Sequence, residues 1–220
     1  MSQSGATCAA VLVSPLTTMA LTTLLVDLDG VLRVWSAEND IRAEQTTGLP
    51  PGAIRKAAFA PDLLLPAITG RVSDEQWRRH VTERLRRDHP SADAERAVQA
   101  WSESPGQVNE PVRTIIQACH RKARVALISN ATSRLPRDLA SLGLLPLFDQ
   151  VINSSDIGVH KPDARIFSAA LSALRAEARD VLFTDDNPQH VRAAESLGLV
   201  GHIFSNPDAL EGVLKANGLM

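Results

Sequence analysis

Leu21-Thr22-Thr23-Leu24-Leu25-Val26 is a run of apolar and β-branched residues that stops abruptly at Asp27-Leu28-Asp29-Gly30. A strand with no polar alternation is buried on both faces, which happens in parallel sheets covered by helices. Further strand candidates are Arg124–Ile128 before Ser129-Asn130, Gln150–Ile152, Asp180–Phe183 before Thr184-Asp185-Asp186, and Val200–Phe204. Helical patterns separate them. Val112, Ile115, Ile116 and Cys119 follow an i, i+3, i+4, i+7 spacing behind Asn109 as N-cap, with Pro111 in the first turn. Asn187–Leu197 is closed by Gly198, where a helix takes a left-handed residue. This alternation predicts an α/β fold whose ligands gather at the carboxyl ends of the strands, where these polar residues fall.

From about Ser36 to Ser104 the strands disappear, and Ser73–Arg87 carries Trp77, His80, Val81, Arg84 and Leu85 along one side. The chain therefore divides into a core of residues 21–35 and 105–220 and a helical insert of residues 36–104, which returns through the turn Ser104-Pro105-Gly106. Residues 1–20 contain no Lys or Arg, and their longest apolar run, Cys8–Val13, is too short for a membrane span or signal core. They are expected to form a flexible extension, with Met19 as an alternative start. A chain of 220 residues with 44% hydrophobic content can bury a full core. Its net charge of -2 provides no basic field for nucleic acid. The basic run Arg78-Arg79, Arg84, Arg86-Arg87 is interleaved with Glu75, Glu83 and Asp88 and reads as a solvated helix face. Cys8 and Cys119 have neither disulfide nor zinc spacing, which fits a reducing cytoplasm. Oligomeric state is left open.

Asp27 and Asp29, at i and i+2, point to one side of the chain and can approach one substrate together. Alone, Asp29-Gly30 reads equally well as a turn. Asp185-Asp186, however, ends another strand of the same type, and like charges about 4 Å apart repel by roughly 4 kcal/mol at an effective dielectric near 20. A cation must offset this, and Mg²⁺ suits a site offering two or three protein oxygens. Lys161 supplies a second positive charge if its loop returns to the same edge. Ser129 and Asn130 are suited to holding phosphoryl oxygens, or else cap the helix from Arg134 to Leu142.

In this order, VDLDGV at 26–31, LISNAT at 127–132, GVHKPDARIF at 158–167 and LFTDDNPQHVRAAESLG at 182–198 resemble the haloacid dehalogenase-like hydrolase superfamily. The resemblance implies a Rossmann-like core with a small helical cap inserted after the first strand. It further implies that Asp27 attacks phosphorus and that Asp29 serves as acid and base. Ser129 would bind the phosphoryl group and Lys161 would stabilise its charge. Mg²⁺ would be held by Asp27, the Asp29 carbonyl, Asp185 and Asp186. The expected partner is a small phosphorylated metabolite, with no nucleic acid and no membrane. Dehalogenases of this type lack the second carboxylate, so Asp29 favours phosphoryl transfer. A mutase and a catalytically silent binder remain as alternatives. Lys56 is the only lysine of the insert, which leaves little basis for a phosphonatase. Arg33 and Trp35 are expected at the entrance, Arg33 to meet a second anionic group and Trp35 to stack on a ring or pack in the core. His190 stands where relatives carry Asn and reads as an exposed helix residue; His160 is expected to vary and to face the cap or solvent.

Overall fold

The computed structural model describes residues 21–220, so the expected extension with Cys8 and Met19 lies outside the described residues. The chain runs β1 (Thr23–Val26), β2 (Arg33–Val34), α1 (Ala37–Thr47), α2 (Ala53–Ala58), α3 (Pro61–Ile68), α4 (Asp74–Asp88), α5 (Ala94–Trp101) and β3 (Gln107–Val108). It continues with α6 (Glu110–Cys119), β4 (Arg124–Ser129), α7 (Leu135–Ser141), β5 (Gln150–Asn153), α8 (Ser154–Ile157) and α9 (Ala164–Leu174). The last elements are β6 (Val181–Asp185), α10 (Pro188–Glu195), β7 (Val200–Ile203) and α11 (Pro207–Ala216).

Five strands form one parallel sheet in the order β5-β4-β1-β6-β7. The apolar first run is thus the central strand, with Thr23 opposite both Arg124 and Val181. Alternate side chains enter opposite layers. Leu24 and Val26 join Val112, Ile116 and Leu214 on one face, whereas Leu25 joins Ile166, Phe167 and Val191 on the other. Phe167 and Phe183 meet edge to face at 5.2 Å in the second layer. Burying each such side chain is worth about 1.5–3 kcal/mol, so these two layers set the plane of the sheet.

β2 and β3 pair antiparallel as a separate two-stranded ribbon, and α1 to α5 lie in the chain between them. These helices have an apolar centre of their own, where Trp77, Val81 and Leu85 of α4 meet Ile54 of α2, Ala43 of α1 and Val98 of α5. The buried row of α4 is narrower than its sequence suggests, because His80 is exposed and Arg84 only half-buried. A capping box between Ser73 and Gln76 starts this helix. Its first residue also touches the core: Asp74 N–H donates to Ser133 Oγ at 3.0 Å, and Thr132 Oγ1 donates to Asp74 Oδ1 at 2.8 Å. Asn109 does stand at the N-cap of α6, but its side chain makes no cap bond and instead donates to Val31 O at 3.1 Å. No helix among the described residues is long and apolar enough to cross a membrane.

Candidate active site

Asp27 leaves the end of β1 with its N–H on Thr184 O at 3.0 Å, so the first carboxylate is fixed to the neighbouring strand. The chain then closes a tight turn in which Leu32 N–H and Arg33 N–H both donate to Leu28 O, at 2.9 and 2.7 Å. Gly30 takes φ +87 there, and a Cβ at this position would collide with the Asp186 carboxylate. Glycine is required for both conformation and space.

Asp185 ends β6 and is fully buried, while Asp186 follows it at the surface. Lys161, only 1% exposed, reaches between the two strands. Its Nζ donates to Asp27 Oδ1 at 2.6 Å, Asp185 Oδ2 at 2.7 Å and Ile128 O at 3.2 Å. Asn130 holds this lysine in place: its Oδ1 accepts from Lys161 N–H at 2.7 Å and its Nδ2 donates to Lys161 O at 2.9 Å. The Asn130 side chain is therefore committed to the lysine loop, and neither it nor Ser129 caps α7, whose N-cap position is Arg134. Ser129 is buried at the end of β4.

Burial pushes the Asp27 carboxyl up to about 7, with the Asp185 and Asp29 charges adding and Lys161 opposing. Burial acts on Asp185 in the same direction, yet the hydrogen bond from His190 and the Lys161 charge hold it below the usual carboxylate value. Asp186 is raised by burial and by Asp185. Burial disfavours the charged Lys161, but Asp27 and Asp185 outweigh it and keep its pKa above the lysine norm. Oxygens of Asp27, Asp185 and Asp186 lie within 4.8 Å of one another. One hard divalent cation with oxygen ligands fits this donor set and would offset the crowding of charge.

His190 corrects the reading of an exposed helix residue. Its Nδ1 lies 3.1 Å from both oxygens of Asp185, with the side chain only 16% exposed. The available signal was its position in the first turn of α10, where a side chain can reach back to the end of β6. His160 folds onto its own loop, with Nδ1 2.7 Å from Lys161 O.

Asp29 lies apart from the carboxylate cluster. Arg33 Nε donates to its Oδ1 at 2.7 Å, Arg33 Nη2 to its Oδ2 at 2.9 Å, and Trp35 Nε1 to its Oδ1 at 2.7 Å. Arg33 and Trp35 both line the cavity, as expected of entrance residues, but their donors are already engaged by Asp29. Arg33 is buried and its guanidinium is already occupied by Asp29 and by Asp138 at 3.2 Å, so it does not stand open to a second anion. Trp35 is neither core nor a free stacking platform; it is half-exposed, with the Arg33 guanidinium 4.6 Å from its ring centre. Lys56 is exposed on α2 and does not line the site.

A cavity of about 400 Å³ lies between the helical insert and the strand ends. Phe59, Trp77 and Trp101 line its insert side, and Asp29, Asn130 and Arg134 its core side. Arg78 also reaches it, paired with Asp74. The solvated-face reading of the basic run therefore holds for Arg79, Arg86 and Arg87, which are exposed, but not for Arg78.

An acid-rich edge of a parallel sheet, with a lysine between two of its carboxylates and a helical insert above, defines a class of capped α/β hydrolases. The chain belongs to the haloacid dehalogenase-like hydrolases, whose family model matches residues 21–198. It is 26% identical over 219 residues to bifunctional epoxide hydrolase 2 of Sus scrofa, covering 91% of this chain and 40% of that protein. The chain thus spans well under half the length of that relative. It is 28% identical over 144 residues to validoxylamine A 7'-phosphate phosphatase of Streptomyces hygroscopicus subsp. limoneus, covering 63% of this chain and 67% of that enzyme. Among solved structures it resembles a family enzyme of Bacteroides thetaiotaomicron in complex with magnesium and inorganic phosphate. The TM-score is 0.69 at 19% identity, with 84% of this chain and 94% of that one covered.

Proposed function

We propose that this hydrolase is a Mg²⁺-dependent phosphatase that cleaves a small phosphomonoester through an aspartyl phosphate on Asp27. The observation that carries the reading is the double pairing of buried Lys161 with Asp27 and Asp185, beside a third carboxylate and with Asp29 two residues further on. A phosphatase among the relatives and a structural neighbour that holds magnesium and phosphate support it.

Asp27, Asp185 and Asp186, with the Asp29 carbonyl, would hold Mg²⁺. Bound there, the ion supplies charge neutralisation for the phosphoryl oxygens. An Asp27 carboxylate oxygen attacks phosphorus as the ester P–O bond breaks, and Asp29 gives a proton to the leaving alkoxide oxygen. Lys161 keeps Asp27 oriented and balances charge on the transferring group. Ser129 holds a phosphoryl oxygen. Asp29 then takes a proton from water, whose oxygen attacks phosphorus, releasing phosphate and regenerating Asp27. The leaving group occupies the cavity against Phe59, Trp77 and Trp101, which suits a small organic body.

Turnover of a panel of phosphomonoesters tests this. Wild-type protein with Mg²⁺ should release phosphate, EDTA should stop it, and Asp27→Asn should lower kcat at least about a thousandfold, as for loss of a nucleophile that works within a unit. An Asp27→Asn variant with wild-type turnover would refute the assignment.

A further inference from the structure

The grip on Asp29 comes from one short segment that also carries the chain into the insert. Asp29 offers about four lone-pair sites on two oxygens, and three are filled: Oδ1 by Arg33 Nε and Trp35 Nε1, Oδ2 by Arg33 Nη2. One site on Oδ2 is left for a proton or a leaving-group oxygen. The carboxylate is 38% exposed and lines the cavity, so this remaining site is accessible to substrate. A fork of two parallel N–H donors fixes both the distance and the plane of a carboxylate, which a single donor cannot do.

Arg33 is itself held from three directions. Nη1 donates to Asp138 Oδ2 of α7 at 3.2 Å and to Pro105 O at 3.4 Å, where the chain returns from the insert. Gly106, at φ +90, leaves room for the arginine, since a Cβ there would stand 2.8 Å from Arg33 Cδ. Asp138 is braced in turn by Arg134 Nε at 2.7 Å. The outgoing connection carries Arg33 and Trp35 on and beside β2, and the returning one supplies Pro105 and Gly106 before β3.

We propose that Arg33 and Trp35 are positioning residues that aim Asp29 at the leaving-group oxygen, and that Arg33 ties this aim to both connections of the helical insert. The inference rests on the phosphatase reading above and goes beyond it in assigning to these two residues the proton-transfer half of the reaction.

The alternative is that Arg33 is only a strut between the ribbon and α7. The two roles differ in their dependence on the leaving group. A p-nitrophenolate departs with little need of a proton, whereas an alkoxide requires one. The ratio kcat/KM reports events through transfer of the phosphoryl group to Asp27, the step in which that proton moves. The experiment therefore compares kcat/KM for p-nitrophenyl phosphate and benzyl phosphate, with Mg²⁺, in wild type, Arg33→Met and Trp35→Phe. Trp35→Phe keeps a ring beside Arg33 and removes the indole donor alone.

Both variants should lose at least about tenfold more on benzyl phosphate than on p-nitrophenyl phosphate, a part of the 10²–10⁴ attributable to a positioned acid. Equal losses on both esters, or no loss on either, would overturn the proposal. If Arg33→Met does not fold, Trp35→Phe decides the matter by the same comparison. A wild-type protein that turns over neither ester overturns the phosphatase reading itself, an outcome visible before any variant is compared.

Discussion

Asp27 sits where burial opposes its charge and Lys161 supports it, and burial prevails. Its carboxyl goes from an ordinary value of 3.8 to about 7 on folding. Between those values the folded state holds a proton that the unfolded chain has released, so Asp27 makes the fold less stable as pH rises through that window. Asp27→Asn removes this dependence. In EDTA, thermal melts should show the variant gaining on wild type between pH 5 and pH 8; an equal difference at both would disprove the effect. Asp27, Lys161 and Asp185 were legible in the sequence because each ends a strand or lies in a motif of fixed order. The contact of His190 with Asp185 and the pairing of Arg33 with Asp29 were not, because such partners are set by side-chain reach in three dimensions: His190 turns back to Asp185, and Arg33 bonds four residues back across a turn that is no regular helix.

At the level of elements, the five strands of the sheet were all visible as apolar runs, but their ends were not. Ser129 and Asp185 belong to β4 and β6 because they pair with Asn153 and Ile203, although the apolar runs stop before them. Leu21 and Thr22 fall outside β1, even though Thr22 N–H still donates to Asp180 O. The ribbon of β2 and β3 left no trace, since two residues per strand carry no period. The turn after β1 gives the clearest prediction here. Gly30→Ala places a methyl group on the Asp186 carboxylate and forces a left-handed alanine, costing roughly 1–2 kcal/mol in backbone strain alone. The Mg²⁺ concentration for half-maximal turnover should rise about tenfold or more, consistent with about 1.4 kcal/mol lost from one ligand. An unchanged Mg²⁺ dependence would remove Asp186 from the metal site.

For the whole molecule, the relation of insert to core depends on few polar contacts, and Asp74 makes two of them. It accepts from Thr132 and donates through its backbone to Ser133, while within α4 its carboxylate also pairs with Arg78 beside the cavity. Asp74→Ala should leave the two sheet layers intact, costing no more than about 2 kcal/mol, while raising KM for the ester more than it lowers kcat. A variant with wild-type KM would show that this contact does not shape the cavity. The existence of the insert was readable from the loss of strands after Ser36, but its docking was not, because Thr132 and Ser133 carry no periodic signal.

The ribbon also gives the molecule a kind of modularity. Val34 and Gln107 face each other across it, about 5 Å apart as in any antiparallel pair, so more than seventy residues of chain leave and return at almost the same point. A loop spanning so small a gap can be lengthened, shortened or exchanged without moving the strands beneath it, and a two-residue turn would suffice to close it. The insert can thus be rebuilt as a cassette while the strand ends under it stay where they are.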